Sequence, residues 1–189
     1  CPTTDGAAAV IITTESRARE LRPHDYVIIQ SMEIAATTGY FSAQSDPSND
    51  FLGFSATRSA ARAAYAKSGI TDPSTQVSLA EVHDCFTITE IVNYEDLGFV
   101  NPGKGASFVL EGQTAVDGRL PVNASGGLQS CGHPIGATGV RVVVDLADQL
   151  RGRAGKRQVA QADVGVGHTL GGPGSVAAVG VVARPEWTP

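Results

Sequence analysis

Residues 132–150 read GHPIGATGVRVVVDLADQL, and this stretch decides the fold class. Its apolar side chains recur at helical spacing, and Arg151-Gly152 follows as a stop signal. Glycines flank His133 on both sides, and Pro134 suits the first turn of a helix. The stretch therefore predicts a helix whose amino-terminal turn presents a histidine. Its apolar stripe is Val140, Val143, Val144, Ala147 and Leu150.

Apolar runs on both sides of this helix predict an alternation of strands and helices. The predicted strands are residues 7–14, 26–34, 77–82, 158–166 and 175–183. The predicted helices are a short turn at 15–21, residues 56–67 with Gly69 as a stop signal, and residues 87–97. Residues 40–49 are predicted to form a loop, and residues 101–127, with eight glycines or prolines, a loop with a short hairpin. This alternation predicts an α/β fold in layers.

Length and composition limit the function classes. The 189 residues suit one domain or one and a half, since a domain takes about 150 residues. A net charge of -5 argues against nucleic acid as a partner, because such binding needs a basic face. Charged residues make up only 17% of the chain, below the share typical of a soluble surface, which suggests that part of this surface is covered.

The cysteines and the absence of long apolar runs give expectations about the protein's setting. Cys1, Cys85 and Cys131 are widely spaced and form no C-x-x-C pair, so neither a metal site nor a disulfide framework is expected. We expect a cytoplasmic protein with no membrane span and no signal peptide. The chain begins without Met, which suggests a piece of something longer.

His83 and Cys85 follow a predicted strand and form the first candidate site. If the chain turns there, an imidazole and a thiol can line one cleft, where a nearby positive charge activates the thiol. The alternative is that Cys85 is a small buried apolar residue and that His83 binds backbone carbonyls.

The block around His133 is the most specific signal. Glycines at a helix entry let backbone amides and the imidazole approach a substrate, while the helix terminus favours a developing anion. A phosphate-binding loop is rejected, because neither a G-x-G-x-x-G motif nor a Walker lysine is present.

A third candidate is the glycine-rich run at residues 166–174, which contains His168 and is predicted as a turn between two strands. Close approach of its backbone to a reacting carbonyl would explain the glycines, and a glycine bulge at a sheet edge is the alternative.

In this order and at these spacings the blocks resemble the carboxyl-terminal half of a thiolase, over residues 5–184. Where thiolases carry an Asn-Glu-Ala-Phe block, this chain has His83-Asp84-Cys85-Phe86. Where they carry a Cys-x-Gly block, it has His168-Thr169-Leu170-Gly171. Both differences match the sterol-carrier-protein-x type and its bacterial and archaeal lipid-transfer-protein relatives. The resemblance implies a thiolase-like layered fold with a mixed five-stranded sheet covered by helices.

The resemblance also implies chemistry, namely thiolytic cleavage of a 3-ketoacyl-CoA or the reverse Claisen condensation, with a bulky, branched or sterol-derived acyl group. His133 would take the proton from a nucleophilic cysteine and form an oxyanion hole with His83. Cys85 would be the acid/base at the α-carbon, and His168 would line a second oxyanion site. Gly132, Gly171 and Gly172 would bind substrate through their backbones. Coenzyme A is expected as a substrate, with no metal and no covalently bound cofactor.

The thiolase nucleophile and the segment that grips CoA belong to the family's first half. We therefore expect residues 1–22 to be the closing strand and linker of the amino-terminal domain, and residues 23–189 to be the carboxyl-terminal domain. The expected partners are an amino-terminal half, acyl-CoA and CoA, and a second copy in a homodimer or dimer of dimers. Two other functions stay open: a lipid-transfer-protein-type retro-aldolase on 3-hydroxyacyl-CoA with a small Zn- or CoA-binding partner protein, and a non-catalytic acyl-CoA-binding scaffold.

Overall fold

A computed structural model describes residues 1, 4–37, 53–172 and 174–189. Its helices are α1 (Glu15–Leu21), α2 (Ser55–Ser68), α3 (Pro73–Gln76), α4 (Thr87–Asp96), α5 (Gly105–Leu110), α6 (Gly127–Cys131) and α7 (Ile135–Leu150), with a 3-10 turn at Gly155–Arg157. Its strands are β1 (Ile28–Ala36), β2 (Leu79–Glu81), β3 (Val164–Gly171) and β4 (Val176–Ala183). None of the helices within these residues is long and apolar enough to cross a membrane.

The strands form one mixed sheet in the order β1-β4-β3-β2. β2 runs parallel to β3, while β3 with β4 and β4 with β1 are antiparallel. The described residues thus form four strands instead of the predicted five. A fifth position is present beside β2, but it is reduced to one bridge between Ala80 and Val122. Pro121 has no amide hydrogen, and Asn123 has a left-handed φ of 52°, so regular pairing ends there.

Helices cover both faces of the sheet. α2 and α4 pack on one face through small alanines and large aromatic side chains: Ala60, Ala61, Ala64, Tyr94 and Phe99 join Val166, Val179 and Val181. α7 packs on the other face, where Val142, Leu146 and Leu150 contact Leu79 and Val182. The layered α/β prediction is confirmed, and each face has its own core.

The face that α7 buries differs from the stripe noted in the sequence. Its buried residues are Ala137, Thr138, Val142, Leu146, Gln149 and Leu150. Val140, Val143, Val144 and Ala147 are only half-buried. Because α7 is apolar on both sides, periodicity alone cannot choose the side that meets the sheet.

Three other local predictions were wrong. Residues 105–110 form helix α5 instead of a hairpin, because this turn buries Phe108 edge-on against Tyr94 at 6.0 Å. β3 begins at Val164 and continues through His168 to Gly171, so the predicted turn is mostly strand, paired with β4. Residues 7–14 form no strand, and Ile11 is 98% exposed, since no described strand lies beside them. The predicted loop at 40–49 lies outside the described residues.

Candidate active site

The imidazoles of His83 and His133 meet at one end of the sheet. His83 follows the end of β2, and His133 lies between α6 and α7. The ring centroids are 5.0 Å apart and the rings stand at 85° to each other. The structure therefore brings together two of the predicted site residues that are fifty positions apart in the sequence.

Hydrogen bonds connect His133 to the first turn of α7. The Thr138 hydroxyl oxygen lies 3.1 Å from the Pro134 carbonyl oxygen and 2.7 Å from His133 Nδ1. When the hydroxyl donates to the carbonyl, its oxygen accepts from the Nδ1 hydrogen, and Nε2 of that tautomer has the free lone pair that a general base needs.

Both rings are neutral near pH 7. Burial, and then the neighbouring His133, lower the pKa of His83 to about 4. Burial also lowers the pKa of His133, and the positive charge of Arg141 acts in the same direction. A pair of neutral imidazoles can accept a proton and donate a hydrogen bond, which is what acyl chemistry at a carbonyl requires.

Cys85 lies in the same turn as His83. Its half-buried thiol is 3.9 Å from the Thr89 hydroxyl on α4. Its carbonyl oxygen accepts from Gln129 Nε2 at 3.0 Å, which ties the turn to α6. Cys131 is exposed, and its Sγ lies 3.4 Å from the Ser125 carbonyl oxygen. A thiol and two imidazoles are therefore held on neighbouring turns.

His168 lies behind His83 and has no exposed surface. The His83 amide lies 3.5 Å from His168 Nδ1, and the Thr57 hydroxyl lies 3.0 Å from Nε2. Burial, and then the nearby His83, lower the pKa of His168 to about 3. A neutral ring with its hydrogen on Nε2 fits both contacts.

The predicted substrate-binding glycines fall in two places. Gly132 directly precedes His133, is buried, and has a φ of 80°. Thr4 lies against the space that a Cβ would take there, so only glycine fits. Gly171 and Gly172 are exposed at the end of β3, and within the described part of the chain no hydrogen bond links them to His83 or His133.

Sequence reasoning missed the acidic residues beside the histidines. Asp84 is buried, and its carboxylate accepts from the backbone amides of Leu128 at 2.7 Å and Gln129 at 3.4 Å. Glu81, at the end of β2, is 1% exposed and bonds Ser125. An acidic residue in an otherwise apolar strand was the signal that could have identified Glu81.

The donor set of the site consists of imidazoles and a thiol. Among the residues that the structure describes, no group of three His, Cys, Asp or Glu side chains could hold a metal ion. The two neutral imidazoles are in contact, and the thiol of Cys85 lies two residues from His83; such groups can move protons and stabilise an oxyanion.

Comparison with known proteins shows the family to which this chain is related. Residues 37–184 match the family described as Thiolase C-terminal domain-like. An acetyl-CoA acetyltransferase of Methanothermobacter thermautotrophicus is 42% identical over 183 residues, which are 97% of this chain and 46% of that protein. Sterol carrier protein 2 of Homo sapiens is 39% identical over 176 residues, which are 93% of this chain and 32% of that protein. The chain thus spans less than half the length of these relatives.

Two solved structures share the fold. A structure titled Ltp2-ChsH2(DUF35) aldolase has a TM-score of 0.78 at 21% identity, over 92% of this chain and 43% of that one. Acat5 thiolase from Ascaris suum, in complex with coenzyme A, has a TM-score of 0.57 at 22% identity, over 90% of this chain and 34% of that one. These likenesses confirm the predicted thiolase-like α/β fold.

Proposed function

Because this chain belongs to the thiolase family, through the family's carboxyl-terminal domain, we propose that it supplies half of an active site that cleaves or forms 3-ketoacyl-CoA. The observation that carries the proposal is the contact between the neutral rings of His83 and His133, with the Cys85 thiol on the same turn. The names of the relatives, acetyl-CoA acetyltransferase and sterol carrier protein 2, support acyl-CoA as the substrate class.

In the proposed reaction His133 acts first, as the general base. Its free Nε2 takes the proton of a nucleophilic cysteine thiol. The thiolate attacks the C3 carbonyl of the 3-ketoacyl-CoA, and the resulting oxyanion accepts hydrogen bonds from protein donors. The bond between C2 and C3 then breaks. Its electron pair forms the enolate of acetyl-CoA, and the acyl group stays on the thiol as a thioester.

Cys85 then acts as the acid. Its thiol proton passes to C2 of the enolate, which completes acetyl-CoA. The Cys85 thiolate then takes the proton of an incoming CoA thiol, whose sulfur attacks the acyl-enzyme carbonyl. The nucleophilic cysteine leaves as a thiolate and recovers its proton from His133. His83 stabilises the negative oxygen as a neutral hydrogen-bond donor, because its lowered pKa keeps the ring uncharged. Direct contact of His168, Gly171 and Gly172 with the substrate stays a prediction, and the complete burial of His168 favours support of His83 instead.

The nucleophilic cysteine is assigned to an amino-terminal half. Residues 1–22 are proposed to close the sheet of that half, and residues 23–189 to form the carboxyl-terminal domain. The exposure of Ile11 supports this division, since an apolar run without a neighbouring strand needs a partner. Thr4 lies against Gly132, so this segment already reaches the site.

The test uses the complete protein, containing the amino-terminal half, with a branched 3-ketoacyl-CoA and CoA. We expect His133→Ala to lower kcat about 10³-fold, because general-base catalysis contributes about 10²- to 10⁴-fold. His24→Ala is the matched control, since His24 is exposed and lies outside the site. Undiminished turnover by His133→Ala would refute the proposal.

The same assay separates the two alternatives. A retro-aldolase would release a free aldehyde or ketone from 3-hydroxyacyl-CoA and leave 3-ketoacyl-CoA intact. A non-catalytic scaffold would bind acyl-CoA and turn over neither thioester. The half-buried Cys85 thiol beside His83 favours thiolysis, because aldol cleavage needs no thiol at that position.

A further inference from the structure

Glu81 is a buried carboxylate two residues before His83 that the proposed reaction does not use. It is 1% exposed, and its oxygens accept from the Ser125 amide at 3.0 Å and the Ser125 hydroxyl at 2.5 Å. Burial of a carboxylate costs free energy, and hydrogen bonds such as these two offset part of that cost. Glu81 thereby joins β2 to the loop that precedes α6.

The Ser125 hydroxyl is the centre of this network. Its hydrogen goes to Glu81, and its oxygen accepts from Arg141 Nη1 at 3.0 Å and the Gly127 amide at 3.1 Å. One donor and two acceptor positions are all that a hydroxyl has, so it is saturated. Arg141 is held in turn by Asp145 at 2.7 Å.

The network connects the three segments that carry the candidate site. Glu81 is on the strand that leads into His83 and Cys85. Gly127 begins α6, which leads into His133. Arg141 is on α7, which follows His133. A substitution at Ser125 would therefore shift both the segment that carries His83 and the segment that carries His133.

We propose that Glu81 is a positioning residue, which holds Ser125 so that the His83 turn and the His133 loop stay in register. It touches neither substrate nor reacting atoms. Burial raises the pKa of Glu81 to about 7, against the opposing effect of Ser125, so the carboxylate that accepts both Ser125 hydrogen bonds is the main form above that pH. The expected effect on turnover rests on the proposed function, whereas the expected effect on the position of His133 does not.

The kinetic test replaces Glu81 in the complete protein. Glu81→Gln puts an amide NH₂ beside a hydroxyl oxygen that already accepts two hydrogen bonds, so the loop must move. We expect kcat to fall about 100-fold, as a misplacement of about 1 Å can cost, while KM changes less than about twofold. Ser125→Ala should also lower kcat with little change in KM. Ser125→Thr keeps the hydroxyl, so its kcat should be at least about tenfold higher than that of Ser125→Ala.

Asp72→Asn is the matched control. The Asp72 carboxylate also accepts from the amide and hydroxyl of one serine, Ser74, at 3.0 and 2.6 Å, but it is at the start of α3. Its substitution should leave kcat within about twofold of the unsubstituted protein, because it contacts neither histidine segment. Unchanged kcat in Glu81→Gln, or an equal loss in Asp72→Asn, would overturn the inference.

A second measurement separates this inference from the proposed function. The imidazole resonances of His133 in ¹⁵N-labelled complete protein should shift in Glu81→Gln and Ser125→Ala, and should not shift in Asp72→Asn. Absence of turnover in the unsubstituted protein would refute the proposed function, and the resonances would still decide the role of Glu81. If Glu81→Gln fails to fold, Ser125→Ala gives the answer, because Ser125 is only half-buried. Unshifted His133 resonances in that variant would overturn the inference.

Discussion

His168 shows how a single residue links burial to pH dependence. In the folded chain it is fully buried and neutral, with its pKa lowered to about 3, whereas an unfolded histidine titrates near 6.5. As pH falls below 6.5, the unfolded chain binds a proton that the folded chain cannot bind. Folding stability from this group is therefore present above about pH 6.5 and is lost progressively toward pH 3.

The variant His168→Asn tests this titration, because asparagine does not titrate. The difference in unfolding free energy between the unsubstituted chain and the variant should shrink by about 2 kcal/mol from pH 7 to pH 5. Urea denaturation at the two pH values measures it, with His24→Asn as the exposed control. A difference that is the same at both pH values would contradict the assignment of His168 as a buried neutral ring. Glu81, whose pKa is raised, contributes to the pH dependence of stability with the opposite sign. This contribution is common to the unsubstituted chain and the variant, so it cancels when their unfolding free energies are subtracted.

At the scale of elements, glycines in β3 determine how closely α7 packs on the sheet. A Cβ at Gly167 would lie 2.8 Å from Val142 Cγ1 and 3.2 Å from Leu146 Cδ1. A Cβ at Gly165 would lie 2.8 Å from Leu146 Cδ2. α7 can therefore approach β3 only because these positions lack side chains, and this approach also places His133 at the end of β2.

Gly167→Ala should push α7 away from the sheet. Overpacking of this kind costs about 1 to 3 kcal/mol, and we expect a loss of stability in that range. Gly171→Ala on the same strand is the matched control, since its Cβ would find its nearest neighbour at 3.7 Å. Chemical denaturation compares the two variants, and an equal effect of both would contradict this account of the packing.

Propensity and cap signals predicted the elements that depend on local sequence. α2 ends where Gly69 takes a left-handed φ of 77°, as a glycine stop signal predicts. α5 was missed because a single buried aromatic, Phe108, stabilises it through contact with Tyr94. The predicted strand at residues 7–14 was wrong, because an apolar run forms a strand only where another strand lies beside it, and no described strand lies there.

At the scale of the whole molecule, the side of the sheet that carries α7 is incompletely covered. Met32 pairs with Gly180, and Ile34 pairs with Ala178, on the face that α7 shares with Val182. Met32 is 47% exposed and Ile34 72% exposed. The outward side of α7 carries the half-buried Val140, Val144 and Ala147, and apolar side chains grouped in this way are typical of a surface that another segment covers. These features support the proposed amino-terminal half as the cover.

Ile34→Lys tests this cover in the complete protein. If the amino-terminal half buries Ile34, the substitution loses apolar burial and buries an unpaired charge, and stability should fall by at least about 2 kcal/mol. Leu110→Lys is the matched control, because Leu110 is 87% exposed on α5, on the opposite side of the sheet. Chemical denaturation of both variants measures the effect, and equal, small losses would place the amino-terminal half elsewhere.

The sequence by itself determined the order of the blocks, the α7 helix with its histidine at the entry, and the family resemblance, because these depend on residues close together in the chain. Only the tertiary structure decided that His83 meets His133, that His133 Nδ1 contacts the Thr138 hydroxyl, and that Glu81 accepts from Ser125. The partners Glu81 and Ser125 are 44 positions apart, and they meet because the end of β2, the loop before α6 and the first half of α7 lie together. No local sequence pattern predicts this contact, because it depends on the order of the strands and on how closely α7 packs against Gly165 and Gly167 of β3.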